Sequence, residues 1–335
     1  MQRKRRVKEA NMKLTYEQIV SITQGAVYIE QHKKGIQFHR FTKEQEDMYA
    51  RTELDPKQNA TAGIRMEFQT DSTTLYMKVI TSEGSRIKSF SHDIIVNGKY
   101  IGALNNKNKE TFGQYEENFF LGVGKKIVSI YFPWSVNSVL QELRLDRKSY
   151  IEPIRRNKKL LAYGDSITQG FIAQHPSKRY VASLADALDA EEYNKAVGGE
   201  VFCPWLLEQK EEIVPDYISV AYGTNHWLSS SPKELRENCE SFFEKLVEKY
   251  PTTQIFAITP IWRKDCTEIT QFQNFEEIGK IITDVASKYE HVSCISGRNF
   301  LPEDETLYTD LYLHPNDEGF VRFSENLLKN IKTGE

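Results

Sequence analysis

The feature that most constrains this chain is a change of hydrophobic period near residue 150. Between residues 25 and 145 apolar side chains recur at every second position. Ile64, Met66 and Phe68 form one such run, and Leu75, Met77 and Val79 form another. A period of two places successive side chains on opposite faces, so these are strands with one face buried. Asn97-Gly98 sits between two apolar runs, Ile94–Val96 and Tyr100-Ile101, and predicts a hairpin, because both residues tolerate positive φ. Further strands are expected at Ile127–Phe132 and Val139–Leu145. Apart from an amphipathic start at Leu14–Thr23, this part shows no long helical pattern. Residues 12–150 therefore read as an all-β sandwich, jelly-roll-like in type.

The stretch Asp146–Lys158 is charged and contains Pro153, and it reads as a linker. From 158 to 335 strands alternate with helices. The expected strands are Lys159–Tyr163, Glu192–Val197, Tyr217–Tyr222, Gln254–Ile258 and Val292–Ile295. The expected helices are Lys178–Leu188, Pro232–Tyr250, Gln271–Tyr289 and Asp317–Ile331. Alternation of this kind predicts a parallel sheet with helices on both faces, a three-layer α/β/α domain.

In such a sheet ligands bind outside the carboxyl ends of the strands. Small and polar residues gather at those ends: Gly164-Asp165-Ser166, Gly198-Gly199-Glu200 and Gly223-Thr224-Asn225-His226-Trp227. The segment Asp310-Leu-Tyr-Leu-His314-Pro-Asn precedes the last helix. Ser166 is a candidate nucleophile, since Gly164 permits a sharp turn that lifts its hydroxyl to the top of the sheet. A serine hydroxyl needs a base. His314 is the histidine best placed to be one, with an acid close before it. The Ser166 backbone, the Gly199 backbone and the Asn225 amide are candidate donors to an oxyanion. Asp165, Trp205, His226, Trp227 and Trp262 stand near the strand ends and are candidate substrate contacts.

These four blocks, in this order, resemble the SGNH (GDSL-type) hydrolase family over about 175 residues. The resemblance implies a flavodoxin-like α/β/α sandwich, a Ser–His–Asp triad, no cofactor, and ester or thioester hydrolysis. A β-sandwich ahead of such a domain is similar to several bacterial carbohydrate esterases and acetylesterases. Family members usually carry the acid three residues before the histidine. Here that position is Leu311, and Asp310 lies four before. Either Asp310 orients the ring or a backbone carbonyl does, leaving a Ser–His dyad. A second departure is His226, where many members have Asp.

The function expected from this is hydrolysis of small acyl esters, acetyl first, on a sugar or oligosaccharide. Two alternatives stand beside it. One is a lipase, lysophospholipase or thioesterase of the same superfamily. The other is a glycan-binding protein with an inert second domain.

Composition removes other classes. The 44 Lys and Arg against 47 Asp and Glu leave a net charge of −3, so no basic field suggests nucleic acid as a partner. No apolar run is long enough to span a bilayer. Cys203, Cys239, Cys266 and Cys294 have no metal-ligand spacing and read as free thiols, so no metal site is expected, and the resemblance implies no cofactor. The basic start, Arg3 to Arg6, is not followed by an apolar stretch, so a cytoplasmic location is expected. Residues 1–11 read as an upstream extension.

Overall fold

The computed structural model describes residues 11–331 apart from Asn108 and Glu110. The expected extension lies outside the described residues except for Asn11. That residue opens a short strand, Asn11–Lys13, paired with Val136–Asp146.

The N-terminal part is two antiparallel six-stranded sheets packed face to face. In one, Val136–Asp146 lies between Gly35–His39 and Thr74–Glu83. In the other, Lys126–Tyr131 lies between Arg65–Thr70 and Ser91–Val96, so that Ile130 faces Met66 on one side and Ile94 on the other. The alternating runs supply the filling: Met66, Phe68, Leu75, Met77, Val79, Ile94, Val128 and Ile130 are all buried in one cluster. Asn97 and Gly98 take φ of 47° and 76° and close the expected hairpin.

This part differs from the sequence reading in a helix, in the linker and in strands the alternation does not mark, Tyr28–His32, Gly35–His39 and Gln114–Phe120. A short helix, Lys43–Tyr49, forms behind the Thr42 cap, where Thr42 and Gln45 make a capping box. Its seven residues are too few to show a helical period. The supposed linker is also partly built into the fold. Ile151–Pro153 pairs with Arg65–Thr70 at a sheet edge, a position where proline costs no ladder bond.

The C-terminal part is a five-stranded parallel sheet. Its order is Ala190–Asn194, Lys158–Gly164, Tyr217–Ala221, Gln254–Ile258, Val292–Ile295. Alternation sends Leu160 and Ala162 to one helical layer and Leu161 and Tyr163 to the other. Helices Pro232–Lys249 and Glu276–Ala286 cover one face, and Tyr180–Ala187 and Asp317–Asn330 cover the other. The first strand in sequence lies inside the sheet, with the second on one side and the third on the other, so the order of strand addition reverses between Lys158–Gly164 and Tyr217–Ala221, which remain parallel. Ligands favour such a switch point.

The two parts meet through buried polar contacts. The Arg40 guanidinium donates to the carbonyls of Asn194 (2.8 Å) and Ala196 (3.0 Å) across the interface, and to Ala60 on its own side. Gln45 accepts from the buried Lys195 ammonium at 2.9 Å. Trp134 Nε1 donates to Ala173 at 2.8 Å. Each reaches a loop or strand end of the parallel sheet, so the β-sandwich braces the edge where the site lies.

Candidate active site

Ser166 begins the four-residue helix Ser166–Gln169 directly beyond the strand Lys158–Gly164. Gly164 is required there, because a Cβ would stand 2.2 Å from Thr168 Oγ1 and 2.8 Å from the Ala221 carbonyl. Asp165 caps the helix by accepting from the Ile167 N–H at 3.0 Å. The helix ends at Gly170, whose φ of 97° reverses the chain.

The Ser166 hydroxyl lies 2.8 Å from His314 Nε2, although 148 positions separate the two residues. On the other side of the ring, Nδ1 lies 2.6 Å from Asp310 Oδ2. The four-residue spacing is accommodated by Leu311, which takes φ of 56° and folds the loop tightly around the carboxylate. Asp310 Oδ1 accepts the backbone N–H of Tyr312, Leu313 and His314 at 3.0, 2.8 and 3.1 Å. Partial burial raises the Asp310 pKa. The His314 ring and the Leu313 and His314 N–H groups outweigh that and hold it at about 2. The orienting group beside the His314 ring is thus the Asp310 carboxylate.

The loop Val197–Glu200 runs past the Ser166 hydroxyl. Gly198 donates its N–H to Gln169 Oε1 at 2.7 Å. Gly199 takes φ of 91°, a left-handed conformation that glycine adopts without a Cβ penalty. Among the described residues the N–H groups of Ser166 and Gly199 have no partner within the chain. Asn225 spends one amide hydrogen on the Glu200 carbonyl at 2.7 Å and keeps the other. Ser166, Gly199, Asn225 and His314 line one cleft of about 270 Å³, with Phe171 and Leu313 also in its wall. The Phe171 ring packs 4.6 Å from the His314 ring. A larger groove of about 930 Å³ runs between the two parts beside Leu311, but it contains neither Ser166 nor His314.

The other candidate contacts lie elsewhere. Asp165 is buried, and burial pushes its carboxyl up to about 7, so it caps the helix rather than meeting substrate. His226 is fully buried with neither ring nitrogen hydrogen-bonded, and burial lowers its pKa to about 4. It is a neutral ring in the core, near Phe202. Trp227 is buried and donates to the Asp265 carbonyl at 3.0 Å. Trp262 is buried against Tyr308. Trp205 packs edge-on to Tyr49 between the two parts of the molecule. None of the five lines the cleft. A strand end fixes where a residue sits, and burial of a large ring decides which way it points.

Several groups that shape the cleft carry no motif. Gln169 is buried and joins the Gly198 loop to the Trp134 carbonyl. Arg263 holds the Thr224 carbonyl at 2.6 Å and is itself held by Asp265. Glu200 is buried and accepts from the hydroxyls of Tyr49 (2.6 Å) and Tyr222 (2.9 Å). Lys57, Ser85 and Arg86 reach the cleft from the β-sandwich. Only contacts between distant segments make these residues relevant, and a single sequence does not carry that signal.

Residues 162–321 match the GDSL-like Lipase/Acylhydrolase family. No curated protein matches the chain. Solved structures match over nearly its whole length. The salicylyl-acyltransferase SsfX3 from a tetracycline biosynthetic pathway is similar at a TM-score of 0.79 and 21% identity, over 92% of this chain and 93% of that one. An acetyl xylan esterase from the rumen bacterium Butyrivibrio proteoclasticus is similar at 0.64 and 16%, over 96% and 97%. A family two carbohydrate esterase from Clostridium thermocellum, in complex with cellohexaose, is similar at 0.61 and 16%, over 82% and 93%. At these identities the likeness is one of fold.

Proposed function

Since residues 162–321 belong to the GDSL-like lipase/acylhydrolase family, we propose that the chain is a serine esterase that removes small acyl groups, acetyl above all, from a sugar or oligosaccharide. One observation carries the reading. Ser166 Oγ, His314 Nε2 and Asp310 Oδ2 form a continuous hydrogen-bonded line, with Oγ–Nε2 at 2.8 Å and Nδ1–Oδ2 at 2.6 Å, beside three unused N–H donors.

The chemistry follows in two halves. His314 Nε2 takes the hydroxyl proton as Ser166 Oγ attacks the acyl carbon. The carbonyl electrons move onto oxygen, and the N–H groups of Ser166 and Gly199 with the Asn225 amide receive that charge. Each such donor contributes about 3 kcal/mol to the barrier reduction. His314 then gives its proton to the leaving alcohol oxygen as the ester bond breaks. A water enters and loses a proton to His314 as its oxygen attacks the acyl carbon, and His314 then returns that proton to Ser166 Oγ as the acyl–Oγ bond breaks and the acid leaves. Asp310 keeps the Nδ1 hydrogen in place and stabilises the transient imidazolium.

The small volume of the cleft, about 270 Å³, supports a short acyl group rather than a long chain. Sugar as the alcohol part is supported by the likeness to an acetyl xylan esterase and to a carbohydrate esterase in complex with cellohexaose. The test is p-nitrophenyl acetate hydrolysis. Ser166→Ala is expected to abolish it with the circular dichroism spectrum unchanged, and a fluorophosphonate is expected to label wild type alone. An active Ser166→Ala protein would end the proposal. An acyl series from acetate to decanoate is expected to fall steeply with length, and a preference for long chains would favour a lipase.

A further inference from the structure

Two cations reach the cleft from the β-sandwich, and among the described residues no carboxylate lines it. Lys57 is half-buried, and its ammonium donates to the Gly198 carbonyl at 2.6 Å. It stands 3.3 Å from where a Cβ on Gly199 would be, beside the oxyanion donor. Arg86 is exposed on the facing loop, close enough that its charge and burial together lower the Lys57 pKa. The chain as a whole is slightly acidic, at −3, so this positive cleft departs from its general surface. A carbonyl satisfies hydrogen bonding but does not neutralise charge. The acid nearest Lys57 in effect is Glu200, whose carboxyl is buried under Tyr49 and Tyr222 and pushed up to about 7. Two like charges held together at the mouth of a site, without a counter-charge among the lining groups, form a receptor for an anion.

We propose that the natural ester carries an anionic group, a carboxylate or a phosphate, near its acyl oxygen, and that Lys57 and Arg86 receive it. This rests on the esterase reading and narrows its substrate class to acidic or phosphorylated sugars. The anion replaces the missing counter-charge, and it holds the ester beside the Gly199 donor, where Lys57 stands. Steering by such a pair raises the rate of encounter and weakens with salt.

The experiment compares three substrates that share one acetyl ester on a ring hydroxyl. Carbon 6 of the sugar bears a hydroxyl, a carboxylate or a phosphate. Wild type is expected to turn over at least one anionic sugar about tenfold better in kcat/KM than the neutral one, the size of one charge-assisted hydrogen bond. That ratio is expected to shrink in 0.5 M salt (roughly a 4 Å screening length). It is expected to collapse toward one in Arg86→Gln and to invert in Arg86→Glu. Whichever anion is preferred identifies the source of the charge. The inference is overturned if the neutral sugar is as good a substrate as both anionic ones. It is also overturned if the Arg86 variants slow all three equally, which would assign the cations to the oxyanion instead. Loss of hydrolysis on all three sugars and on p-nitrophenyl acetate would instead remove the esterase reading itself.

Discussion

Asp310 grips His314 at two points: Oδ2 meets the ring nitrogen Nδ1 at 2.6 Å, and Oδ1 accepts the His314 backbone N–H at 3.1 Å. One carboxylate therefore fixes both the loop and the tautomer. Asp310→Asn preserves an oxygen for the loop amides but presents an N–H donor to a nitrogen that must itself carry hydrogen. It is expected to lower kcat by roughly 10²–10⁴-fold with little change in melting temperature. Asp310→Ala is expected to lose activity to the same degree and stability as well. Because the folded pKa is depressed from 3.8 to about 2, the stability contributed by Asp310 is present in full above pH 3.8 and is lost as pH falls toward 2. Urea melts of wild type and Asp310→Ala between pH 2 and pH 5 measure that window.

Leu311 occupies the left-handed region, φ 56°, with about half its surface exposed. A branched side chain at positive φ costs about 1 kcal/mol or more. Asparagine tolerates the conformation, and the site offers Leu311 little burial in exchange. Leu311→Asn is expected to raise stability by about 0.5–1 kcal/mol. Activity on p-nitrophenyl acetate is expected to stay within about twofold, as for surface positions generally. A lower melting temperature would show that Leu311 contributes more to packing than its exposure indicates.

The parallel domain was readable because its strands are short apolar runs and its helices long. Gln254–Ile258 and Val292–Ile295 match their expected spans, and Pro232–Lys249 matches to one residue. The second strand lies nearer the N-terminus than the expected Glu192–Val197. Ala190–Asn194 begins with Ala190, Glu191 and Glu192, whose acidic side chains are buried through partners such as Arg179 and Tyr193. In the β-sandwich, Gln114–Phe120 went unrecognised because it is a mostly exposed edge strand with little apolar alternation. The juxtaposition of positions 166, 199, 225 and 314 is legible from four blocks at strand ends and in a loop, taken together with the family pattern that they resemble. The tryptophans, Lys57 and Arg86 depend on side-chain direction and on contact between domains, which periodicity does not encode.

Beneath the nucleophile helix, Arg179 and Glu192 form a buried ion pair with bonds of 2.7 and 3.0 Å. Gly170 exists to admit it, since a Cβ there would stand 2.0 Å from Arg179 Cδ. Removing one partner leaves the other charged and dry. Arg179→Met is expected to cost about 3–5 kcal/mol in urea unfolding. Replacing both, Arg179→Met with Glu192→Leu, is expected to recover at least half of that, since apolar residues of similar volume remove the desolvation penalty. A double variant as unstable as the single would mean that the pair positions Asn194, which also donates to Glu192, rather than neutralising charge.

Glu200 carries the oxyanion side of the cleft, because Asn225 hangs from its carbonyl while Tyr49 and Tyr222 clasp its carboxyl. Burial raises its pKa to about 7 against the opposing effect of the two tyrosine hydroxyls, and the charge of Asp165, itself near 7, adds to the rise. The sign is opposite to that of Asp310. The folded state retains a proton that the unfolded chain sheds at about 4.3. Stability from this group is therefore greatest below that value, declines as pH rises toward 7 and is flat beyond. Glu200→Gln keeps hydrogen-bonding capacity without ionising. Its urea midpoint is expected to fall less between pH 5 and pH 7 than that of wild type, and Asp165→Asn is expected to remove a further part of the fall, while the buried neutral His226, lowered to about 4, contributes the opposite slope in every variant. Tyr49→Phe removes a hydrogen bond that favours the ionised form and is expected to move the slope to higher pH. Equal slopes in wild type and both acid variants would show that these carboxyls ionise in the folded protein as they do in water.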